Sequence, residues 1–478
     1  MQAESRLGLA TQSEPAGGCG EQRSGSRSGS GSGSGGSIGP VDGNTQMRVS
    51  ILEGATVQPA PPVLGRVSSG GPAARVLRGH GGALRFDDSA LSKHVLFIGG
   101  IGTGKTSAMM QLIRALRSSA GQDDVFVIFD TKGDFLRDFY EPGDAVISNE
   151  SGKGPGEVVW NLFCDLVAED QGARGDQIFE VASTIFSEGL AQAGENLFFA
   201  AAACDIFAAV VEAMSREGRP YSNADLRSRL EGSREGLLDL MHEHADLAGT
   251  ARYLEGETAP EAILAFLQQT LNKSFSGTFR LPGDFSVREF IRGKRGRALF
   301  IEYDIAMGNR LLPIYRVLID MAIKEALGLG RRQSPGSVFF VLDEFALLPK
   351  LSHISDGINF GRGLGLKFVV GTQNVSQVLE AYGSGVAGSI LSGFGTVFAF
   401  RLMDNSSRDL VRQRFGANRK QITTFAPVRS AGVQQTVVMG NVVEDWVLSD
   451  LKVGQCIVSL PEGPPFAFTF DEYRASAR

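Results

Sequence analysis

A doubly wound α/β fold with a mainly parallel central sheet is the architecture this sequence predicts, and three observations carry it. First, near-continuous apolar runs recur along the chain: "HVLFIG" (94–99), "VFVIFD" (125–130), "ALFIEYD" (298–304), "VFFVLDE" (338–344), "KFVVGTQ" (367–373) and "TVFAFR" (396–401). Strands look like this when helices cover both faces of a parallel sheet. Second, helical stretches such as "TSAMMQLIRALRSS" and "LLPIYRVLIDMAIKEALGL" alternate with them, the pattern of βαβ units. Third, the first run opens directly into "GGIGTGKT", a Gly-x-x-x-x-Gly-Lys-Thr loop at Gly99–Thr106 followed by a helix.

Size and composition bound the reading. A chain of 478 residues is long enough for two or three domains, and 42% hydrophobic with 21% charged residues fits a globular protein with a core. The formal charge of −6 gives no global attraction to polyanions and is evidence against a simple DNA-coating protein, so any nucleic-acid contact has to come from a local basic surface or a ring of them. Cys19, Cys164, Cys204 and Cys456 are too scattered for a metal pair and too few to staple the chain, which fits a reducing cytoplasm. In "HEH" (242–244) the two histidines, two apart, point to different helix faces, so no metal site is expected there. The most apolar stretch, "LFFAAAACDIFAAVVEAM" (197–214), carries Asp205 and Glu212 and reads as a buried helix, so no membrane span is seen.

Along the chain, residues 1–74 contain the tract "SGSRSGSGSGSGGS" (24–37), whose composition buries too little to offset its ordering entropy. The expectation is a disordered segment, acting as a tether or without function. The α/β pattern occupies 75–164 and 286–478. Between them, 165–285 holds helical stretches at 176–189, 196–217, 222–231 and 258–273 and almost no strand-like run. An all-helical domain inserted into a nucleotide-binding domain is the simplest account.

The motifs assign chemistry. In a loop of this kind the glycines let backbone N–H groups turn around a phosphate and the following helix aims its positive end at it. The residues expected to cradle ATP are Gly99, Gly100, Ile101, Gly102, Thr103, Gly104, Lys105, Thr106 and Ser107. Lys105 would reach the β- and γ-phosphates and Thr106 would ligate Mg²⁺. Asp343 closes a second apolar run and would hold Mg²⁺ from the other side; the adjacent Glu344 would polarise the attacking water. Such an Asp-Glu pair is seldom found in kinases or GTPases and is common in RecA-like motor ATPases. Gln373, ending the next run, is a candidate sensor of the γ-phosphate. Arg362 sits in the glycine-flanked turn "GRGLG", the natural form of a finger inserted into a neighbouring subunit's site; Arg401 competes for that role.

Beyond these residues, "KHVLFIGGIGTGKT", "VFVIFDTKGDFLRDFY" with "WNLF" (160–163), "VLDEFALLPKLSHISDGINFGRGLGLKFVVGTQNVSQV" and "LSDLKVGQCIVSLPEGPPF" resemble the type IV secretion and conjugation coupling proteins, the TraD/TraG/TrwB-like group of the FtsK/HerA-type ring ATPases. The resemblance covers most of the chain from about 80 to 475. It implies a homo-hexameric ATPase that delivers single- or double-stranded DNA with a relaxase, or protein substrates, to a secretion channel. It places Lys105, Asp343, Glu344, Gln373 and a trans-acting Arg362 in the corresponding motifs, and makes 165–285 the family's all-alpha domain. Asp130 of "DTKGD" matches a family signature; a carboxylate that merely stabilises a turn reads equally well. Two transmembrane helices usually begin such proteins, and here the Gly/Ser-rich segment stands in their place. The expectation is a cytoplasmic protein, held peripherally at the inner membrane by partners, or a soluble relative pumping DNA outside secretion. A docking scaffold that binds nucleotide without translocating is a further alternative; a small-molecule kinase is disfavoured because it needs neither the Asp-Glu pair nor the glutamine strand.

Overall fold

The computed structural model describes residues 46–61, 75–80, 82–152, 154–166, 171–257, 259–425 and 433–475. The Gly/Ser tract lies outside the described residues. The strands are β1 (Gln46–Glu53), β2 (Arg75–Gly79), β3 (Gly82–Phe86), β4 (Val95–Ile98), β5 (Val125–Asp130), β6 (Ala145–Ile147), β7 (Ala298–Glu302), β8 (Val338–Leu342), β9 (Leu366–Thr372), β10 (Thr396–Ala399), β11 (Ala417–Phe425), β12 (Val433–Asn441), β13 (Gln455–Ser459) and β14 (Phe466–Thr469).

A nine-stranded sheet in the order β14-β13-β10-β4-β9-β8-β5-β7-β6 forms the centre. From β10 to β6 every neighbouring pair is parallel, while β13 and β14 add an antiparallel edge. The apolar runs are strands because both of their faces are buried. Leu96, Val127, Phe340 and Val370 point into one core, shared with the helix Gly308–Arg331. Phe97, Phe126, Phe339 and Val369 point into the other, with the helix Lys105–Ser118. Aromatic pairs lock the register across the strands: Phe97 on Phe398 and Phe126 on Phe339 stack at 4.7 Å, Phe340 on Phe368 at 4.8 Å. The short edge strand β6 and the pair β13–β14 are too brief, or too mixed with polar residues, to stand out among the apolar runs.

Between β6 and β7 the described residues form helices, chiefly Gln171–Gln192, Leu197–Arg216, Asn223–Leu230, Arg234–His242 and Ala259–Ser274. Leu197–Arg216, with the turn before it, is long and apolar enough to cross a membrane, yet 67% of its apolar window is buried inside the protein. The chain enters and leaves this insertion through one buried carboxylate. Asp165 accepts hydrogen bonds from Trp160 Nε1 at 2.7 Å, Ser286 Oγ at 2.6 Å, and the backbone N–H of Val287 and Arg288 at 3.2 and 2.9 Å. Beside it, Asn161 Nδ2 donates to the carbonyls of Tyr221 and Gly283. The "WNLF" motif is therefore the neck of the insertion.

One boundary moves. Residues 46–58, placed in the disordered segment by composition, include β1, and Gln58 and Ala467 exchange backbone hydrogen bonds with Pro465 and Gln58 carbonyls at 2.8 Å. "VSILEGATV" supplies the β-branched and apolar residues that the Gly/Ser tract before it lacks. β1, β11 and β12 pair as a three-stranded sheet; its residues 46–50, 421–425 and 433–437 belong to a small compact unit of their own. All that follows concerns the larger unit.

Candidate active site

Parallel strands bring their C-terminal ends, and the loops that follow, to one edge of the sheet. At that edge lies a cavity of about 1180 Å³. The loop after β4, residues 100–107, lies at its middle; Thr131 and Lys132 after β5, Asp343 and Glu344 after β8, Gln373 after β9 and, after β7, residues between Tyr303 and Arg310 line one side; Gly454 before β13 and Phe470–Glu472 after β14 line the other.

The loop has the shape that its glycines allow. Gly102 and Gly104 take φ of 70° and 99°, the left-handed region that favours glycine. A Cβ on Gly104 would also stand 2.9 Å from the backbone N of Gly454. That contact exists because Gly454 N–H donates to Thr103 C=O at 2.9 Å, while Gly100 N–H donates to Arg401 C=O at 3.1 Å and Thr103 Oγ1 to Gly100 C=O at 2.8 Å. The loop is thus fastened to the neighbouring connections, leaving the first turn of the helix Lys105–Ser118 with its positive end toward the cavity.

Three buried polar atoms have no hydrogen-bond partner there: Lys105 Nζ, Asp343 Oδ1 and Glu344 Oε1. Lys105 Nζ is 3.8 Å from Glu344 Oε2, with the two side chains only 7% and 12% exposed. Burial pulls the Lys105 ammonium below its ordinary pKa, opposed by the charges of Glu344 and Asp343. Burial likewise raises both carboxyls, opposed chiefly by Lys105. Thr131 Oγ1 reaches the other Asp343 oxygen at 3.5 Å. Unsatisfied buried groups cost about 1–3 kcal/mol each, and here they share one cavity. The arrangement fits a polyphosphate at Lys105, a hard cation at Thr106 and Asp343, and a water beside Glu344.

The structure brings most of the expected residues to this cavity. Gly100 through Ser107, Asp343, Glu344 and Gln373 line it, with Gly99 immediately behind. β9 lies between β4 and β8, so Gln373 stands between the loop and the Asp-Glu pair. Arg362 is the exception: it is exposed, on the turn Gly361–Leu364 that precedes β9, at the opposite end of the strand from the cavity. Seven extended residues separate the two ends by about 23 Å. Arg401, half-buried, meets the loop through its carbonyl and does not line the cavity. Asp130 proves to be the turn-stabilising carboxylate, accepting from the N–H groups of Lys132, Gly133 and Leu136 at 3.2, 2.9 and 2.8 Å. It thereby holds Thr131 and Lys132 at the cavity. The lining residues that motif reading missed include these two, the connection Tyr303–Arg310, His80, Leu347, Val453–Gly454 and Thr469–Glu472; "DTKGD" was a signal for the first.

Two basic runs, "RGKRGR" (292–297) and "RFGANRK" (414–420), are mostly engaged within the protein. Arg292 pairs with Glu325 and Glu289, Lys294 is buried against Pro335 C=O, and Arg297 lies over the Phe290 ring at 4.4 Å. Arg414 donates to Gly395 C=O and Lys420 pairs with Glu444.

The family profile of the type IV secretion-system coupling protein DNA-binding domain matches residues 79–442. The chain is similar to the coupling protein TraD of Escherichia coli (strain K12), 24% identical over 319 residues, which span 63% of this chain and 41% of that protein; it therefore matches less than half the length of this curated relative. Its fold is similar to that of the bacterial conjugative coupling protein TrwBdeltaN70 in a trigonal form in complex with sulphate, with a TM-score of 0.69 and 20% identity over 93% of this chain and 98% of that one. It is also similar to plasmid coupling protein TrwB in complex with ADP and Mg²⁺, with a TM-score of 0.64 and 20% identity over 82% and 88%. The fold is thus the RecA-like P-loop fold with a helical insertion.

Proposed function

The chain belongs to the type IV secretion-system coupling-protein family, and from that premise we propose that it hydrolyses ATP as one subunit of a homo-hexameric ring that drives substrate toward a secretion or conjugation channel. The substrate class is DNA, single- or double-stranded and bound to a relaxase or similar DNA-processing protein, or a protein. The ring works on the cytoplasmic side of the inner membrane, docked through channel components, with residues 165–285 as a separate all-helical domain.

One observation supports this above the rest: Lys105 Nζ, Asp343 Oδ1 and Glu344 Oε1 are buried, unpartnered and gathered at one cavity, the charge pattern that a metal–nucleotide complex complements. Lys105 draws the β- and γ-phosphate oxygens while the loop N–H groups from Ile101 to Ser107 surround them, those of Gly99 and Gly100 being taken by the Thr372 and Arg401 carbonyls. Thr106 and Asp343 would hold Mg²⁺, which would supply positive charge against the phosphates. Glu344 takes the proton of the attacking water, its basicity raised by burial. Gln373, between loop and Asp-Glu pair, senses the γ-phosphate and passes its presence to the helix Val375–Tyr382. Arg362, remote from its own cavity, serves the neighbouring subunit. That plasmid coupling protein TrwB has been obtained in complex with ADP and Mg²⁺ supports the nucleotide and metal.

A second reading, a docking scaffold ordered by nucleotide without translocation, is favoured by the internal pairing of both basic runs. ATP turnover measured against protein concentration, with and without single-stranded DNA, separates them. Turnover that rises more than linearly, is stimulated by DNA and disappears in Glu344→Gln and Arg362→Ala supports the ring motor. Turnover flat per subunit, indifferent to DNA and untouched by Arg362→Ala sinks it.

A further inference from the structure

The cavity has a polarity. On the β9/β8/β5 side of the loop stand Gln373, Glu344, Asp343 and Thr131; on the β10/β13/β14 side stand Gly454, Phe470, Asp471 and Glu472, with His80. A nucleoside triphosphate held by the loop at its β-phosphate must turn its γ-phosphate toward the first side and its nucleoside toward the second. The second wall carries two carboxylates, which repel phosphate and accept hydrogen bonds, so the group that suits it is a neutral polyol.

That wall is also built to hold a fixed position. Asp471 is pinned through its backbone, its N–H donating to Arg78 C=O at 3.1 Å and its C=O accepting from Gln111 Nε2 at 2.7 Å. Gln111 Oε1 in turn accepts from the Arg78 N–H at 2.8 Å. Two residues on, the Tyr473 N–H donates to Ser107 Oγ at 2.8 Å, and its ring lies 4.2 Å beneath the Arg114 guanidinium. Ser107, Gln111 and Arg114 form one face of the helix that begins at Lys105. The C-terminal segment is thus strapped along the phosphate-binding helix. It spends its backbone on that fastening and leaves the Asp471 side chain, 46% exposed beside His80 Nδ1 at 3.1 Å, on the cavity wall.

We propose that this strap is the nucleoside clamp of the site, and that the Asp471 carboxylate, supported by Glu472, accepts hydrogen bonds from the ribose hydroxyls. A carboxylate on the ribose 2′-OH is a recurrent solution in nucleotide sites. The inference rests on the nucleotide reading above. It makes the chain selective for ribonucleotides over deoxyribonucleotides, through a residue that no phosphate-loop motif contains.

Calorimetric binding of ADP, 2′-deoxy-ADP and pyrophosphate, each with Mg²⁺, to the full chain tests it without turnover. The expected result is ADP bound about tenfold more tightly than 2′-deoxy-ADP, the strength of one hydrogen bond to a charged group. In Asp471→Ala that preference disappears while pyrophosphate affinity changes little, which also reports that the variant is folded. Equal affinity for the two nucleotides in the wild type, or a preference that survives Asp471→Ala, overturns the clamp and leaves the phosphate site standing. Binding of neither pyrophosphate nor ADP overturns the nucleotide reading itself.

Discussion

Lys105 and Glu344 face each other at 3.8 Å, both buried, and neither the ammonium nor the outer carboxylate oxygen Oε1 has a hydrogen-bond partner. At that distance the pair is an ion pair without a hydrogen bond, so the ammonium keeps its donors for a phosphate oxygen and Oε1 its lone pairs for a water. Replacing Glu344 by Gln removes the base and keeps the shape. Nucleotide binding is expected to persist while turnover falls by a factor of about 10² to 10⁴, read by calorimetry beside steady-state ATP hydrolysis. A loss of binding equal to the loss of turnover would instead give Glu344 a role in holding the ligand.

Arg362 lies at the far end of β9 from its own cavity, so the catalytic role proposed for it is one exercised on a neighbouring subunit's site. Arg362→Ala and Glu344→Gln should each be inactive alone. Mixed together, they should regain measurable turnover, because some interfaces then join an intact Glu344 to an intact Arg362. A mixture as dead as its parts argues against action in trans.

Asp165 closes the neck of the helical insertion with hydrogen bonds from Trp160, Ser286, Val287 and Arg288. Asp165→Ala strands those donors in a buried site, an expected loss of about 3 kcal/mol or more. Urea unfolding followed by tryptophan fluorescence, read in a Trp446→Phe background so that Trp160 alone reports, should show a lowered midpoint. An unchanged midpoint would mean the neck relaxes to water without penalty.

His353, on the segment after the Asp-Glu strand, hydrogen-bonds Glu180 of the insertion, which also binds Lys324, and Asp320 lies behind the same histidine. The hydrogen bond to Glu180 raises the His353 pKa, and the acidic neighbours add to it. Burial acts to raise the Glu180 carboxyl, but the bonds from His353 and Lys324 outweigh it and hold it at about 2. A histidine raised in the folded state stabilises fully below its ordinary value of 6.5 and loses that contribution as pH rises through the folded value. The thermal midpoint of His353→Ala should therefore lie furthest below wild type at pH 6 and approach it at higher pH. A gap that does not narrow would leave only a packing role.

Much of the site was legible because its chemistry is local. Gly99–Thr106 is contiguous, its strand and helix are announced by apolar patterning, and the glycine positions match the positive φ at Gly102 and Gly104. Asp343, Glu344 and Gln373 were legible for the same reason: each ends a buried strand, and parallel strands end at a common edge. What the basic runs do was not legible, because charge in a sequence says nothing of its partner; Lys294 is buried and Arg292 pairs with Glu325. β6 escaped notice because three residues give no periodicity.

By itself, then, the sequence determined the α/β class, the phosphate loop, the acidic pair and the helical character of the insertion, all of which follow from patterns within one or two turns or strands. Only the tertiary structure decided that Gln373 stands between loop and acids, that Arg362 is remote from its own cavity and that Asp165 ties the neck. It also decided that the C-terminal segment lies along the phosphate-binding helix, where Arg114 and Arg474 meet across 360 positions. Strand order and long-range closure arise from packing two faces of a sheet at once, and that packing is a property of the whole core, which no short stretch encodes.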